Sequence, residues 1–219
     1  MPEASKEILS KIFGSILDGF FKTGFVDAVQ KTGDTIIDCT IEIYTQIAQA
    51  LRPTPARFHY VFNLRDVSKV LQGILMTKPV SVQSPEAACR LWVNEISRVF
   101  YDRLINEEDR SWFTTSITEL VNNAFRIKME HDELFITNKP RWGDLLKLDA
   151  PVKLYEEIKE VSKLKRTLEN MLEDYNISST TKMNLVFFDD CIEHILRIAR
   201  ILRQPRGNAM MIRVGGSGK

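Results

Sequence analysis

Apolar residues recur every three or four positions along most of this 219-residue chain, the spacing of one buried face on an α-helix. The first run, EILSKIFGSILDGFF, holds two adjacent sets of residues spaced four apart: Ile8, Ile12, Ile16 and Phe20, with Leu9, Phe13 and Leu17 beside them. Since this spacing continues almost to the C-terminal end, the chain is predicted to be mainly α-helical.

The second helical run extends from Phe25 to Leu51, and Gly33 is predicted to break it near its midpoint. Its buried face is predicted to hold Ile36, Cys39, Ile43 and Ile47. Two prolines stop this run, and the alternating aromatic residues of RFHYVF, residues 57–62, then predict a short extended passage.

Three polar residues stand where the next helices should begin. Asn63, Ser84 and Asn106 are predicted N-caps, and three acidic residues after Asn106 complement the helix dipole. The helix after Ser84 is predicted to bury one stripe, formed by Ala88, Trp92, Ile96, Val99 and the aliphatic stem of Arg103.

Residues 126–151 show no single period, and two prolines and a glycine interrupt them, so we expect an irregular excursion. Leu134–Thr137 are predicted to form a short strand within it. A long amphipathic helix is expected over residues 152–176, and another after a polar joint, ended by Pro205.

Composition excludes several classes of protein. Hydrophobic residues make up 44% and charged residues 27%, which is typical of a globular protein, and the net charge of +1 argues against a nucleic-acid partner. No apolar run has the length of a membrane span, and no signal peptide is visible, so no membrane partner is expected. The widely spaced Cys39, Cys89 and Cys191 suit free thiols in a reducing compartment, hence the cytoplasm.

Candidate catalytic or metal-binding clusters are weak. Asp190, Cys191 and His194 lie close together on one predicted helix, but a metal or nucleophile site needs further ligands, so Cys191 is interpreted as a buried structural thiol and no metal site is predicted. His59 is interpreted as a packed core residue and His131 as a solvated loop residue.

The C-terminal residues change in character. The apolar run NAMMIRV, residues 208–214, has the length of a buried parallel strand, and VGGSGK follows it directly. A strand followed by a Gly-rich turn ending in Gly-Lys is the arrangement of a phosphate-binding loop, although Arg213 stands where the first glycine is usual. A flexible Gly/Ser tail is the alternative.

Arg65 is the second candidate for anion binding. It lies just inside the helix that begins after Asn63, where a cation opposes the helix dipole, so helix propensity does not favour it. One interpretation is a surface pairing of Arg65 with Asp66; the other is an arginine directed at an anion near the helix N-terminus.

Two stretches in this order, TPARFHYVFNLRDVSKVLQGIL and HILRIARILRQPRGNAMMIRVGGSGK, resemble the axonemal dynein heavy chains, motors that carry a ring of six AAA+ modules. The resemblance implies that residues 1–52 end the large subdomain of the third module. Residues 53–181 would be its helical small (lid) subdomain and connection. Residues 182–219 would begin the α/β fold of the fourth module with a helix, its first strand and its phosphate loop.

By the same resemblance, Arg65 matches the sensor arginine that approaches the terminal phosphate of the nucleotide. Gly215, Gly216, Ser217, Gly218 and Lys219 match a phosphate loop that is cut short. The third module's own phosphate loop and acidic catalytic strand would lie upstream of Met1. We therefore expect no bound nucleotide and no ATP turnover from this chain alone.

For the parent protein, the resemblance implies ATP or ADP with Mg²⁺ as cofactor and minus-end-directed movement along microtubules in the axoneme of a cilium or flagellum. Its partners would be the neighbouring AAA+ modules, microtubules, and the dynein intermediate and light chains. The alternative function is a freestanding helical scaffold for protein interactions with no nucleotide role.

Overall fold

The computed structural model describes residues 5–147 and 150–211. Within these ranges the residues with helical apolar spacing form eight α-helices. They are α1 (Lys6–Phe21), α2 (Asp27–Gln30), α3 (Gly33–Ala50), α4 (Leu64–Ile74), α5 (Pro85–Val99), α6 (Glu107–Leu120), α7 (Val161–Ser178) and α8 (Asp189–Arg203). The chain divides into two compact units, the first ending at Val161 and the second beginning at Ser162. The prediction of a mainly α fold is confirmed.

Short elements connect the helices of the first unit. They are 3₁₀ turns at Pro55–Arg57 and Tyr101–Arg103, π-helical turns at Val121–Phe125 and Glu133–Thr137, and the strands β1 (Trp142–Gly143) and β2 (Glu156–Glu157). The two strands are antiparallel, with Trp142 opposite Glu157, and within the described ranges they form the only sheet.

The strand predicted at Leu134–Thr137 is wrong, because these residues form a π-helical turn. Leu134 donates its backbone N–H to the carbonyl of Glu130 at 3.1 Å, and Asn138 donates to Glu133 at 3.2 Å. Because these hydrogen bonds are made within the segment, no neighbouring strand is needed to satisfy its backbone.

Helix α1 buries only one of its two apolar sets. Leu9, Phe13, Leu17 and Phe21 are buried where α1 packs on α3. In the adjacent set Phe20 is partly buried, while the other three residues stay about half exposed: Ile8 at 53%, Ile12 at 50% and Ile16 at 47%. A rotation of one residue about the helix axis separates the sets, so packing against α3 decides which of them enters the core.

The core of the first unit confirms the predicted stripe of α3, and that of α5 except for Arg103, which lies in the following 3₁₀ turn with its side chain 29% exposed. Ile36, Cys39, Ile43 and Ile47 are buried on α3, with the helix break placed just before Gly33, and Ala88, Trp92, Ile96 and Val99 are buried on α5. Across these helices the indole nitrogen of Trp92 donates to the hydroxyl of Thr40 at 2.8 Å. This bond satisfies the polar atom of a fully buried aromatic side chain.

Two of the three predicted N-caps make the expected side-chain bond. Asn63 Oδ1 accepts from the backbone N–H of Arg65 at 2.9 Å, and Ser84 Oγ accepts from Ala87 at 3.2 Å. Asn106 occupies the N-cap position of α6 but makes no capping bond with its side chain. Of the three acids that follow, Asp109 is buried instead of facing solvent at the helix end.

The long helix expected over residues 152–176 begins later, at Val161, because β2 occupies Glu156–Glu157. Leu164 and Leu168 are its buried residues, while Met171 and Tyr175 are 40% and 45% exposed. In the described ranges no helix combines the length and apolar character that crossing a bilayer requires.

Two cysteines are predicted to resist chemical modification. Burial raises the pKa of the Cys39 thiol, assisted by the carboxylates of Glu42 and Asp38, and burial likewise raises that of Cys89, each from 9.0 to about 12. At pH 8 we expect a thiol reagent to modify the half-buried Cys191 in the folded chain, and all three cysteines only after denaturation. A colorimetric thiol titration checks this, and rapid modification of three thiols without denaturant would contradict it.

The same pKa shifts predict alkaline destabilisation. Between about pH 9 and pH 12 the folded thiols keep protons that unfolded thiols release. The contribution of these two thiols to stability should therefore be constant below pH 9 and fall as the pH rises through this window, by up to about 1.4 kcal/mol per pH unit for each buried thiol.

Candidate functional site

Arg65 lies in the first turn of α4, whose N-terminus is held by a reciprocal pair of hydrogen bonds. The side chain of Asn63 accepts from the N–H of Arg65, and the carboxylate of Asp66 accepts from the N–H of Asn63 at 3.0 Å. The backbone at Arg65 is thus fixed on both sides. An asparagine followed three residues later by an acid is visible in the sequence as a signal for this arrangement.

The side chain of Arg65 is exposed and, among the described residues, makes no hydrogen bond or ion pair. The interpretation of Arg65 as the surface partner of Asp66 is wrong. Asp66 is only 3% exposed, and its Oδ2 lies 3.1 Å from Nη1 of Arg103. The guanidinium of Arg65 is therefore available to an anion.

Arg103 joins α4 to the segment before it. Its Nη2 donates to the backbone carbonyls of Val61 at 2.6 Å and His59 at 3.2 Å, and its guanidinium lies 4.6 Å from the ring centre of Phe62. From the sequence only the aliphatic stem of Arg103 was predicted to lie in the core. The ion pair of Arg103 with Asp66 was missed because the two residues are 37 positions apart in the chain.

A second buried carboxylate attaches the same segment to α6. Asp109 accepts two hydrogen bonds from Nη1 of Arg57, at 2.8 and 3.0 Å, and one from the hydroxyl of Tyr60 at 2.9 Å. The Tyr60 oxygen in turn accepts from the N–H of Ile105 at 2.9 Å. The Tyr60 phenol is protonated at neutral pH and can donate to Asp109, and burial raises its pKa further.

A cavity of about 480 Å³ opens beside the start of α4. Leu64, the residue before Arg65, forms part of its wall, and Lys6 and Arg52 contribute cationic side chains. Its other lining residues come from α1 and α3: Leu9, Ile41, Tyr44, Thr45, Ala48 and Gln49. The cavity thus combines an apolar wall with two cationic side chains, and its lining includes the residue before Arg65.

Comparison with known proteins relates the chain to one family of motor proteins. Residues 36–136 match the family described as AAA+ lid domain, and residues 183–219 match the P-loop containing dynein motor region D4. The human dynein axonemal heavy chain 6 is 42% identical over 222 residues, which cover 100% of this chain and 5% of that protein. The chain belongs to the axonemal dynein heavy chain family.

Other axonemal dynein heavy chains agree with this assignment. The human dynein axonemal heavy chain 10 is 39% identical over 221 residues, covering 100% of this chain and 5% of that protein. The human dynein axonemal heavy chain 3 is 38% identical over 223 residues, which cover 97% of this chain and 5% of that protein. This chain thus spans about 5% of the length of these dyneins and corresponds to part of the motor ring, which disfavours the freestanding scaffold.

The candidate phosphate loop of this dynein segment, Gly215, Gly216, Ser217, Gly218 and Lys219 with Arg213 before it, lies outside the described residues. Of the strand predicted at residues 208–214, residues 208–211 are described and belong to no helix or strand. Met210 and Met211 among them are 85% and 77% exposed. The strand and the loop both stay predictions, as do the three AAA+ boundaries.

The cysteine and histidine residues considered as site candidates differ in part from their predicted environments. Cys191 is half-buried instead of buried, and His194 on the same helix is exposed. His131 is not a free loop residue, because its Nε2 lies 3.0 Å from the hydroxyl of Thr114. No cluster of three or more metal-binding side chains is found in the described part of the chain.

Proposed function

We propose that this chain is the lid and inter-module joint of a dynein motor ring. The ring would couple ATP binding and hydrolysis to minus-end-directed movement along microtubules in the axoneme of a cilium or flagellum. The observation that carries the proposal is the guanidinium of Arg65, exposed on a capped helix N-terminus within the AAA+ lid match and unpaired among the described residues.

In this proposal Arg65 is the sensor arginine of the third module. It would donate charge-assisted hydrogen bonds to the terminal phosphate of a nucleotide held by the large subdomain of that module. The cavity lined in part by Leu64, Lys6 and Arg52 would add positive charge near the start of α4. Closure of the lid on nucleotide would then move α4 and the helices packed on it.

The C-terminal residues would serve the next module. Gly215, Gly216, Ser217, Gly218 and Lys219 would place backbone N–H groups and one ammonium around the phosphates of a second nucleotide. Mg²⁺ would accompany that nucleotide in the parent protein. Partners of the ring would be the neighbouring AAA+ modules, microtubules, and the dynein intermediate and light chains.

Arg65→Ala tests the proposal in a motor ring whose other nucleotide sites are disabled at their phosphate-loop lysines. We expect ATP affinity at the remaining site to fall about 10- to 30-fold, because one charge-assisted contact to phosphate is lost. Titration with a fluorescent ATP analogue measures this. Arg65→Lys should recover part of the affinity, since it keeps the charge but loses the planar donor pair.

Lys78→Ala is the matched control, since it removes an exposed positive charge beyond the opposite end of α4. It should leave ATP affinity unchanged. Unchanged affinity in Arg65→Ala, or an equal loss in both variants, would overturn the proposed role of Arg65.

A further inference from the structure

We propose that Arg103 and Asp66 are positioning residues that keep the guanidinium of Arg65 available for phosphate. This inference rests on the proposed role of Arg65. Arg103 would act by occupying the carboxylate of Asp66, the acidic side chain next to Arg65 in the chain, so that this carboxylate does not neutralise Arg65.

The carboxylate of Asp66 is buried beside the start of α4. The Asp66 side chain is 5% exposed, and its carboxylate accepts from the N–H of Asn63 at 3.0 Å. A buried carboxylate needs a cationic partner, because desolvation of an unpaired charge is costly. Arg103 supplies that partner at 3.1 Å, whereas Lys69 lies 3.7 Å away and is 59% exposed.

The guanidinium of Arg103 is held in place by contacts besides Asp66. This guanidinium also donates to the carbonyls of His59 and Val61 and stacks on Phe62, so three further contacts hold it in place. A guanidinium with several fixed partners stays on the carboxylate instead of exchanging with a competing arginine. The opposing charge beside Arg65 is thus already compensated.

Removing Arg103 would leave Asp66 with a buried negative charge and with Lys69, at 3.7 Å, as its remaining ion-pair partner. Arg65, the neighbouring residue in the chain, would then compete for this carboxylate. An Arg65 attracted to this carboxylate would be withdrawn from phosphate. Arg103→Ala should therefore lower ATP affinity about 5- to 10-fold, and removing the charge of Asp66 in that background should restore it.

The experiment measures fluorescent ATP binding to the same single-site motor ring used for Arg65. We expect Arg103→Ala to weaken binding, and the double variant Arg103→Ala/Asp66→Asn to bind within about 2- to 3-fold of the unsubstituted ring. The amide oxygen introduced by Asp66→Asn would still accept the capping bond from the N–H of Asn63 while lacking the charge. In an Arg65→Ala background, Arg103→Ala should have no further effect, because it acts through Arg65.

Arg57→Ala is the matched structural control. The Arg57–Asp109 pair holds the same segment, and the side chains of Arg57 and Arg103 are equally exposed at 29%. We expect Arg57→Ala to destabilise the protein but to leave ATP affinity unchanged. If Arg103→Ala prevents assembly of the ring, Arg103→Gln, which keeps amide donors without the charge, takes its place.

The outcomes separate the two proposals. If Arg65→Ala leaves ATP binding unchanged, the proposed function fails and this inference with it. If Arg65→Ala weakens binding but Arg103→Ala does not, only the positioning role is overturned. Equal loss in Arg57→Ala and Arg103→Ala without recovery by Asp66→Asn also overturns it, since that pattern reports general loss of structure.

Discussion

Replacing Trp92 with alanine is expected to lower the free energy of unfolding of this chain by about 3–5 kcal/mol. The Trp92 side chain is fully buried on α5, its ring centre lies 5.4 Å from that of Phe125, and its Nε1 donates to Thr40. Alanine would leave a cavity among side chains from several helices, and the surrounding packing can collapse into it only in part.

Urea unfolding followed by far-ultraviolet circular dichroism measures this loss. Trp92→Phe should cost less, about 1–2 kcal/mol, because most of the volume is kept and the Thr40 hydroxyl still donates to the carbonyl of Ile36 at 2.6 Å. Trp112→Ala, at a half-buried position on α6, should also cost less. If Trp92→Ala unfolds at nearly the same urea concentration as the unsubstituted chain, Trp92 is not packed in the core as described.

Replacing Asp109 with alanine is expected to cost about 2–3 kcal/mol of folding free energy. Asp109 is 6% exposed and receives three hydrogen bonds, two from Arg57 and one from Tyr60. Alanine would leave the buried Tyr60 hydroxyl without its acceptor and would release the segment before α4 from α6. The same urea titration reports the change.

Two variants locate the source of this effect. Asp109→Asn should cost less than Asp109→Ala, because an amide oxygen can still accept from Tyr60 while the charge facing Arg57 is lost. Glu108→Ala changes the neighbouring exposed acid and should stay within about 0.5 kcal/mol of the unsubstituted chain. A loss in Glu108→Ala equal to that in Asp109→Ala would point to the helix dipole instead of the buried network.

The candidate site could be predicted in part from the sequence. Asn63 marked the start of a helix, and Arg65 stood out as a cation at an unfavourable position in its first turn. The ion pair between Asp66 and Arg103 could not be predicted, because the residues between them contain a whole helix and several turns whose packing brings the two side chains together.

The positions of most helices, and the caps of two of them, could be predicted from local residue patterns. These features depend on hydrogen bonds that span two to four residues, so neighbouring residue types suffice to specify them. The π-helical turn at Glu133–Thr137 escaped prediction because its short apolar run fits a strand equally well.

Contacts between distant segments select which apolar set of α1 is buried and which arginine pairs with Asp66. Both sets of α1 repeat every four residues, and contact with α3 selects the one that contains Leu17. Two arginines, at positions 65 and 103, could pair with Asp66, and burial of its carboxylate selects the distant one. In both cases the choice depends on the free energy of removing a group from water, which is set by residues far away in the chain.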